Sequence, residues 1–379
     1  MANILLNLLA ARSGGQLTRA SAFLDRINKF SPLDNYIILK DSEVLKDFPS
    51  TKKLSFINIS FGNGKFKVVR RFLWENTLMP KLIKNKKIDL YLTFSHYLPN
   101  FINGIPSVVG ITNLAPFSKE AINSERFFVK LKLKLLKKTI LSSANKSNAI
   151  IAISKKCNDI LINNGILDKK IIVNPNGVED FWGKVDKSDY NLDGYNIIDP
   201  FILYVSHFHY YKNHRNLIKA FSELPSKIQD THKLVLVGKL QDRQCHSKVV
   251  TLINELKLKN RVLIIEGENH KNLRLLYQRS KLFAFPSLIE NCPNILLEAM
   301  RSSCAIISSK LDPMPEFGGK NVVYFDPLDH LDIRDKIYQT ISNAELRESL
   351  SKSAHKRSLM YSWDNFTLNI SKEIDKILR

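Results

Sequence analysis

The sequence predicts an α/β protein built from two doubly wound parallel sheets, and two observations support this prediction. Short apolar runs rich in β-branched residues recur along the whole chain of 379 residues. Most of these runs are continuous rather than alternating, which is typical of strands that are buried on both faces of a parallel sheet. Helix-like stretches separate many of the runs, and strand–helix alternation over this length indicates doubly wound α/β domains.

The predicted strands form two series, one on each side of residue 200. The first series comprises Ile4–Leu9, Tyr36–Leu39, Ser55–Ile59, Ile88–Phe94, Ser107–Thr112 and Ala149–Ser154. The second series comprises Phe201–Val205, Leu234–Val237, Val262–Ile265, Leu282–Phe285, Ala305–Ser308 and Val322–Phe325. The predicted helices between them include Thr18–Ile27, Asn213–Glu223, Lys271–Arg279 and Asn294–Met300.

The chain length predicts two domains, because a single core seldom extends beyond about 250–300 residues. A polar stretch with little apolar periodicity, 186–200, separates the two series of strands. We therefore place a first domain at residues 1–180 and a second at 195–358. The remaining tail, 359–379, is predicted to form a helix with regularly spaced apolar positions.

The charge of the chain is strongly positive, with 57 Lys and Arg against 36 Asp and Glu. Residues 1–180 carry 28 of the basic and 13 of the acidic side chains, so the first domain is the basic one. Such a surface attracts phosphate groups. A nucleic-acid partner is not expected, because no recognised binding motif or interleaving of aromatic and basic residues is present.

The most basic segment is Arg126–Ser142, which is predicted to be a surface helix with one buried face. A second interpretation is that this helix also touches an anionic membrane surface. No apolar stretch approaches the roughly 18–20 residues of a membrane span. Four isolated cysteines without a CxxC spacing indicate reduced thiols rather than a disulfide framework or a zinc site.

A glycine pair, Gly14 and Gly15, follows the first predicted strand and precedes a predicted helix. Glycines at this position let backbone N–H groups approach a phosphate or a sugar at the helix N-terminus. The spacing is not GxGxxG, and a plain tight turn is the alternative interpretation.

A stronger cluster of chemistry follows the predicted strand Leu282–Phe285. Glu290 lies in the strand-to-helix loop, Pro293 suits the first turn of the next helix, and Glu298 lies further along that helix. Free N–H groups and the positive dipole end of the helix lie between the two carboxylates. This arrangement fits a sugar nucleotide, although a capping Glu and a solvated helical Glu remain the alternative.

The first strand of the second domain leads into a loop that contains His207 and Lys212. Open α/β sheets bind ligands at the carboxyl ends of their strands, where this loop is expected to lie. Lys212 is a natural counter-charge for a diphosphate, and a solvated surface lysine is the alternative interpretation.

Several short phrases occur in the order found in the retaining GT-B enzymes that include sucrose-synthase-like and mannosyltransferase-like proteins. The sequence resembles this group, glycosyltransferase family 4, whose E-x7-E pattern is met within Pro286–Met300. The other matching phrases are Ile172–Val178, Leu203–Asn213, Leu234–Gly238, Asn272–Tyr277, Phe325–Pro327 and Tyr361–Trp363.

The resemblance implies a GT-B fold with two Rossmann-like domains that face an inter-domain cleft and a last helix that returns to the first domain. It also implies roles: Glu290 contacts the donor sugar, Glu298 holds the ribose and Lys212 holds the diphosphate. Gly15 admits the diphosphate through its backbone. The other residues predicted to bind the donor are Gly14, Asn291, Pro293, Asn294 and Ile295.

Two of the departures from the family pattern fall among the candidate site residues. His207, which we count with Glu290 and Lys212 among the catalytic candidates, stands where the family often has Arg. Thr112 and Asn113 stand where the family often has His-Asp. These two residues, together with His96 at the end of a predicted strand, are the candidates on the acceptor side.

The predicted function is that of a retaining glycosyltransferase that needs no metal or other cofactor. It is expected to use a UDP or GDP sugar and a glycan or polyprenyl-linked acceptor in surface polysaccharide synthesis. The expected location is cytoplasmic, peripheral on the inner membrane, with the basic first domain against anionic lipid. A catalytically silent subunit of a glycan-assembly complex is the alternative, and a glycosidase is disfavoured by the diphosphate-type lysine.

Overall fold

We describe the protein from a computed structural model of the chain. The structure describes residues 1–11, 14–45, 48–62, 64, 66–99, 102, 104–118, 122, 127–184, 195, 197 and 200–379. The chain divides into two compact units, which consist of Met1–Gly177 with Trp363–Arg379, and of Val178–Ser362.

The first unit contains a parallel sheet with the strand order β3-β2-β1-β4-β5-β6-β7. Its strands are β1 (Asn3–Asn7), β2 (Asn35–Asp41), β3 (Leu54–Ile59), β4 (Leu90–Thr93), β5 (Ser107–Ile111), β6 (Ala149–Ala152) and β7 (Ile171–Val173). Its helices up to residue 162 are α1 (Gly15–Phe30), α2 (Lys67–Thr77), α3 (Met79–Asn85), α4 (Phe127–Lys146) and α5 (Lys155–Ile162).

The second unit repeats this plan with a parallel sheet of strand order β10-β9-β8-β11-β12-β13. Its strands are β8 (Phe201–Val205), β9 (Lys233–Val237), β10 (Val262–Ile265), β11 (Leu282–Phe285), β12 (Ile306–Ser309) and β13 (Val323–Phe325). Its helices are α6 (His214–Ser222), α7 (Ser226–Thr231), α8 (Arg243–Glu255), α9 (His270–Arg279), α10 (Asn294–Arg301), α11 (Met314–Gly318), α12 (His330–Ser342) and α13 (Ala344–Ser358). Both sheets follow the doubly wound dinucleotide-binding order, which confirms the predicted fold class.

Helices cover both faces of the first sheet, which explains why its strands are continuously apolar. On β1, Ile4 and Leu6 point to one face, where they pack with α1 and with the last helix, α14 (Trp363–Leu378). Leu5 points to the other face, where α3, α4 and α5 pack and Trp74 of α2 is partly buried. The period of two along a strand therefore assigns each helix to one face.

The boundary between the units lies at Gly177, slightly before the predicted position at residue 180. Contacts within the second unit account for the difference: Val178 N donates to Tyr361 O at 3.1 Å, and Arg301 pairs with Asp180 at 2.6 Å. Leu359–Ser362 also belongs to the second unit, whereas α14 belongs to the first. Most of the predicted separating stretch, 186–200, lies outside the described residues.

Four elements of the first unit were not predicted from the sequence: β7, α2, α3 and α5. β7 is a short edge strand that is not fully buried, so its apolar run is brief. In α2 the usual pattern is reversed, because Glu75 is buried while Val69 and Phe72 are exposed. An apolar pattern therefore did not mark the face of α2 that packs on the sheet.

No helix in the described part of the chain is both long enough and apolar enough to cross a membrane. The segment predicted as a basic surface helix forms α4, and Arg126 at its start lies outside the described residues.

Candidate functional site

The second sheet has a topological switch point between β8 and β11, where the strand order reverses. Lys212 lies in the loop after β8, and Glu290 lies in the loop after β11. Because the two strands are parallel neighbours, their carboxyl ends meet at one edge of the sheet. Residues 78 positions apart in the sequence are thus brought together.

Lys212 and Glu290 form a direct ion pair at this edge. Lys212 Nζ lies 2.5 Å from Glu290 Oε1, and Ser287 Oγ donates to the same oxygen at 2.8 Å. The two charged side chains are only 7% and 13% exposed. Removing either partner of such a buried ion pair should destabilise the fold, because the remaining charge is poorly solvated.

The two loops that carry this pair are tied to each other by further hydrogen bonds. Leu288 N donates to Tyr211 O at 2.8 Å, and Asn213 Nδ2 donates to Pro286 O at 3.2 Å. Asn213 adopts a left-handed conformation with φ of 59°, which asparagine tolerates better than most residues. The hydroxyl of Tyr204 on β8 donates a hydrogen bond to Lys212 O at 2.7 Å, which fixes the backbone of Lys212.

Gly238 makes room for the loop after β8. A Cβ atom at this position would lie 1.7 Å from Ser206 O, so only glycine fits without moving the backbone. The strand-ending glycine noted in the sequence therefore positions the start of the loop that contains His207 and Lys212.

His207 does not supply a second cation to this site. Its Nε2 lies 3.0 Å from the hydroxyl of Tyr211. Burial, together with the charges of Lys212 and His209, lowers the pKa of His207 to about 4. The imidazole is therefore uncharged at neutral pH and differs from the arginine that the resemblance implies at this position.

The predicted donor-binding residues Asn291, Pro293, Asn294 and Ile295 lie where the loop after β11 enters α10. Pro293 is the N-cap residue, one position earlier than the predicted first turn, and α10 begins at Asn294. No side chain caps α10 in the fully described segment 200–379. Asn294 N donates to Cys292 O at 2.9 Å, so the next N–H groups, those of Ile295 and Leu296 at the positive dipole end, are the ones that can face an anion.

Glu298 lies on α10 and is half-buried. Tyr277 donates its hydroxyl hydrogen to Glu298 Oε2 at 3.3 Å. Burial raises the pKa of Glu298 to about 8. A carboxylate in this environment gains strongly from any ligand hydroxyl that donates a hydrogen bond to it.

The remaining predicted site residues belong to the first unit. Gly14 caps α1 with φ of +63°, Gly15 is the first residue of α1, and Ser13 lies outside the described residues. His96 follows β4, and Thr112 and Asn113 follow β5. Asn113 Oδ1 accepts a hydrogen bond from Ala115 N at 3.0 Å, so this side chain already stabilises its own turn.

Sequence reasoning assigned no role to Ser287, Tyr277 or Asn213, although all three stood within the matched phrases. Each of the three belongs to a phrase that matches the family pattern. Their contacts with Glu290, Glu298 and Pro286 form only in the folded chain, so the sequence alone did not predict them. In the described part of the chain, no group of three or more His, Cys, Asp and Glu residues is arranged to hold a metal ion.

The ion pair predicts a strong energetic coupling between Lys212 and Glu290. Lys212→Met and Glu290→Gln each leave a desolvated partner, so the double variant should lose less stability than the two single losses combined. We expect a coupling free energy of about 1–3 kcal/mol from urea unfolding of the four proteins.

The exposed pair Lys352 and Glu348 is a matched control, with a similar 2.5 Å separation but side chains 75% and 68% exposed. It should show no measurable coupling, because solvent screens it. Additive losses at Lys212 and Glu290 would contradict the account of a mutually dependent pair.

The raised pKa of Glu298 predicts that the stability difference between the natural protein and Glu298→Gln depends on pH. The carboxyl group of Glu298 has a pKa near 4.5 in the unfolded chain and about 8 in the folded one. The free energy of unfolding therefore falls as the pH rises from the first value to the second. Glu298→Gln lacks this loss, and its melting temperature relative to the natural protein should therefore increase from pH 5.5 to pH 8.

Glu348→Gln is the control, since Lys352 lowers the pKa of Glu348 and its titration falls below this pH window. A difference between Glu298→Gln and the natural protein that is constant over the window would show that Glu298 ionises normally.

Comparisons with known proteins agree with this architecture. Residues 196–357 match the family described as glycosyl transferases group 1. The serotype-specific mannosyltransferase WbdA of Escherichia coli is 28% identical over 250 residues, which cover 64% of this chain and 31% of WbdA. The chain thus spans about a third of that relative's length.

A second relative matches a larger share of its own length. The N-acetylgalactosamine-N,N'-diacetylbacillosaminyl-diphospho-undecaprenol 4-alpha-N-acetylgalactosaminyltransferase of Campylobacter jejuni is 28% identical over 233 residues, which cover 60% of this chain and 59% of the relative.

Among solved structures, HepE of Anabaena in complex with UDP-glucose has a TM-score of 0.75 and 16% identity. The match covers 99% of this chain and all of that one. With the two doubly wound sheets, these matches confirm the predicted resemblance: the chain has the GT-B fold, and its residues 196–357 form a domain of the glycosyl transferases group 1 family.

Proposed function

We propose that the protein is a retaining, metal-independent glycosyltransferase of family 4 type that uses a nucleoside-diphosphate sugar. The observation that carries this proposal is the buried pair of Lys212 and Glu290 at the switch point of the second sheet. An uncapped helix start and the desolvated Glu298 follow in the same segment. These groups suit the diphosphate, the sugar and the ribose of one elongated ligand.

In this proposal the protein acts mainly by electrostatic stabilisation. Lys212 Nζ and the N–H groups of Ile295 and Leu296 on α10 bind the diphosphate and stabilise the negative charge that develops as the nucleotide departs. Glu290 orients the donor sugar, and Glu298 accepts hydrogen bonds from the ribose hydroxyls. The tied loops hold these groups in place before the donor arrives, so little reorganisation accompanies the reaction.

The proposed acceptor is a glycan or a polyprenyl-linked saccharide in surface polysaccharide synthesis. The mannosyltransferase WbdA and the transferase of Campylobacter jejuni, whose name includes a diphospho-undecaprenol, support this class. The first unit would bind it through the predicted residues His96, Thr112 and Asn113, while Gly14 and Gly15 would admit the donor diphosphate.

We also place the protein at the cytoplasmic face of the inner membrane, attached through α4. Phe127 and Phe128 at the start of α4 are 75% and 81% exposed. Lysines follow them along the helix at Lys130, Lys132, Lys134, Lys137 and Lys138. Exposed aromatic rings beside several lysines suit the interface of an anionic bilayer.

Nucleotide binding tests the donor proposal. A melting-temperature screen without metal against UDP, GDP, ADP, CMP and their common sugar conjugates should give a clear increase with one nucleotide. A ligand at about 100 times its dissociation constant adds about 2.7 kcal/mol of stability. Glu298→Ala and Lys212→Ala should abolish the increase.

Glu348→Ala, on the exposed surface of α13, is the matched control and should keep the full increase. If no nucleotide stabilises the folded protein, the donor proposal is wrong and a silent subunit becomes the better explanation.

Vesicle binding tests the membrane proposal. Replacing Lys130, Lys132, Lys134, Lys137 and Lys138 of α4 with Gln should weaken binding to phosphatidylglycerol vesicles at least a hundredfold, since each lysine near an anionic surface contributes about 1 kcal/mol. The control variant replaces five exposed lysines of the second unit: Lys227, Lys248, Lys257, Lys259 and Lys281. Equal binding by both variants would refute a specific role for α4.

A further inference from the structure

The loop after β8 places the ring of Tyr211 directly beside the buried Lys212. Lys212 Nζ lies 5.2 Å from the centre of that ring. Both residues belong to the single turn Tyr210–Lys212, and the carbonyl of Tyr211 accepts a hydrogen bond from Leu288 N at 2.8 Å. Tyr211 is therefore anchored to both of the loops that bring Lys212 and Glu290 together.

Two imidazole rings hold the phenol ring of Tyr211 in place. The ring centre of His209 lies 4.3 Å from that of Tyr211, and the ring centre of His207 lies 5.9 Å away, edge-on. His207 Nε2 also lies 3.0 Å from the hydroxyl oxygen of Tyr211. Tyr211 is half-buried rather than enclosed, so its side chain is held by its neighbours and is still partly accessible to a ligand.

The hydrogen bond between His207 and Tyr211 can run in either direction. His207 is uncharged at neutral pH, because burial lowers its pKa to about 4, and a neutral imidazole has one nitrogen that donates and one that accepts. If Nε2 carries the hydrogen, it donates to the Tyr211 oxygen, and the phenol hydrogen can be donated to a further acceptor. If Nδ1 carries the hydrogen, Nε2 accepts the phenol hydrogen instead.

The positive charge at this edge of the sheet is small for a diphosphate ligand. Lys212 is already balanced by Glu290 at 2.5 Å. Position 207, where the resemblance implies an arginine with its five N–H donors, holds a neutral imidazole. A phosphate bound here therefore gains from neutral donors, since a hydrogen bond to an anion is roughly twice as strong as one between neutral groups.

We propose that the hydroxyl of Tyr211, oriented by His207, donates a hydrogen bond to the β-phosphate of the nucleoside-diphosphate sugar. His207 carries its hydrogen on Nε2 and is a positioning residue, whereas Tyr211 touches the ligand. The β-phosphate carries the sugar, so it is the phosphate expected nearest to Lys212 and Glu290. A neutral donor thus replaces the arginine that the resemblance implies. The identity of the ligand as a sugar donor rests on the proposed function.

The direction of the hydrogen bond can be measured without any nucleotide. Nitrogen-15 NMR of the full chain with labelled histidine distinguishes the two neutral tautomers, and the signals that are lost in His207→Gln assign this ring. We expect the hydrogen to be on Nε2. A hydrogen on Nδ1 would overturn the role of Tyr211 and leave the donor proposal intact, because Nε2 would then accept the phenol hydrogen.

Calorimetric titration of the full chain tests the contact itself. The probes are UDP, GDP and ADP, each compared with its monophosphate. Tyr211→Phe should weaken binding of the preferred diphosphate roughly tenfold or more. Binding of the monophosphate, which has no β-phosphate, should not change. Tyr210→Phe makes the same chemical change on the neighbouring ring, which is 37% exposed, and should bind both nucleotides like the natural protein.

Three results with folded variants would overturn the role of Tyr211. These are unchanged diphosphate binding in Tyr211→Phe, an equal loss of both nucleotides in Tyr211→Phe, and the same selective loss in Tyr210→Phe. Melting temperatures show that the variants are folded. Loss of diphosphate binding in Lys212→Ala but not in Tyr211→Phe would reject only the role of Tyr211, whereas absence of diphosphate binding by the natural protein would reject the donor proposal as well.

Discussion

The ion pair between Lys212 and Glu290 is the constraint on which the second unit depends. Burying two opposite charges is costly unless geometry and hydrogen bonds compensate for the lost solvation. Ser287 supplies a second hydrogen bond to the carboxylate, and the backbone of Leu288 fastens one loop to the other. The parallel sheet makes this possible, since β8 and β11 end side by side. An arriving diphosphate would meet a lysine that is already immobile.

The distribution of charge separates two kinds of surface in the chain. At the switch point of each sheet the cations are paired with carboxylates: Lys212 with Glu290, and Arg71 with Glu75. Lys130, Lys132, Lys134, Lys137 and Lys138 on α4 account for part of the basic excess of the first unit. We interpret the pair of Lys212 and Glu290 as a recognition element and the lysines of α4 as a general attraction for anionic surfaces.

Much of the fold could be predicted from the sequence, because strands buried on both faces leave continuous apolar runs. Every predicted strand overlaps an observed one. β7 was missed because an edge strand leaves a weak apolar signal, and α2 was missed because it buries Glu75 and exposes Phe72. In both cases the tertiary environment, rather than local periodicity, determines the structure.

The site was predictable in its parts but not in its contacts. The spacing of Glu290 and Glu298 and the position of Lys212 after a strand indicated a phosphate and sugar site. The direct pairing of Lys212 with Glu290 joins residues distant in the sequence, and the raised pKa of Glu298 comes from burial. Neutral His207 is likewise a consequence of packing, since an exposed imidazole has a pKa near 6.5.

A crystal structure with the nucleotide that stabilises the protein tests the central claim most directly. The account predicts that the diphosphate lies within hydrogen-bonding distance of Lys212 Nζ and of the N–H groups of Ile295 and Leu296, with the ribose hydroxyls on Glu298. A nucleotide bound elsewhere, with the Lys212 and Glu290 pair unchanged and away from the phosphates, would contradict it.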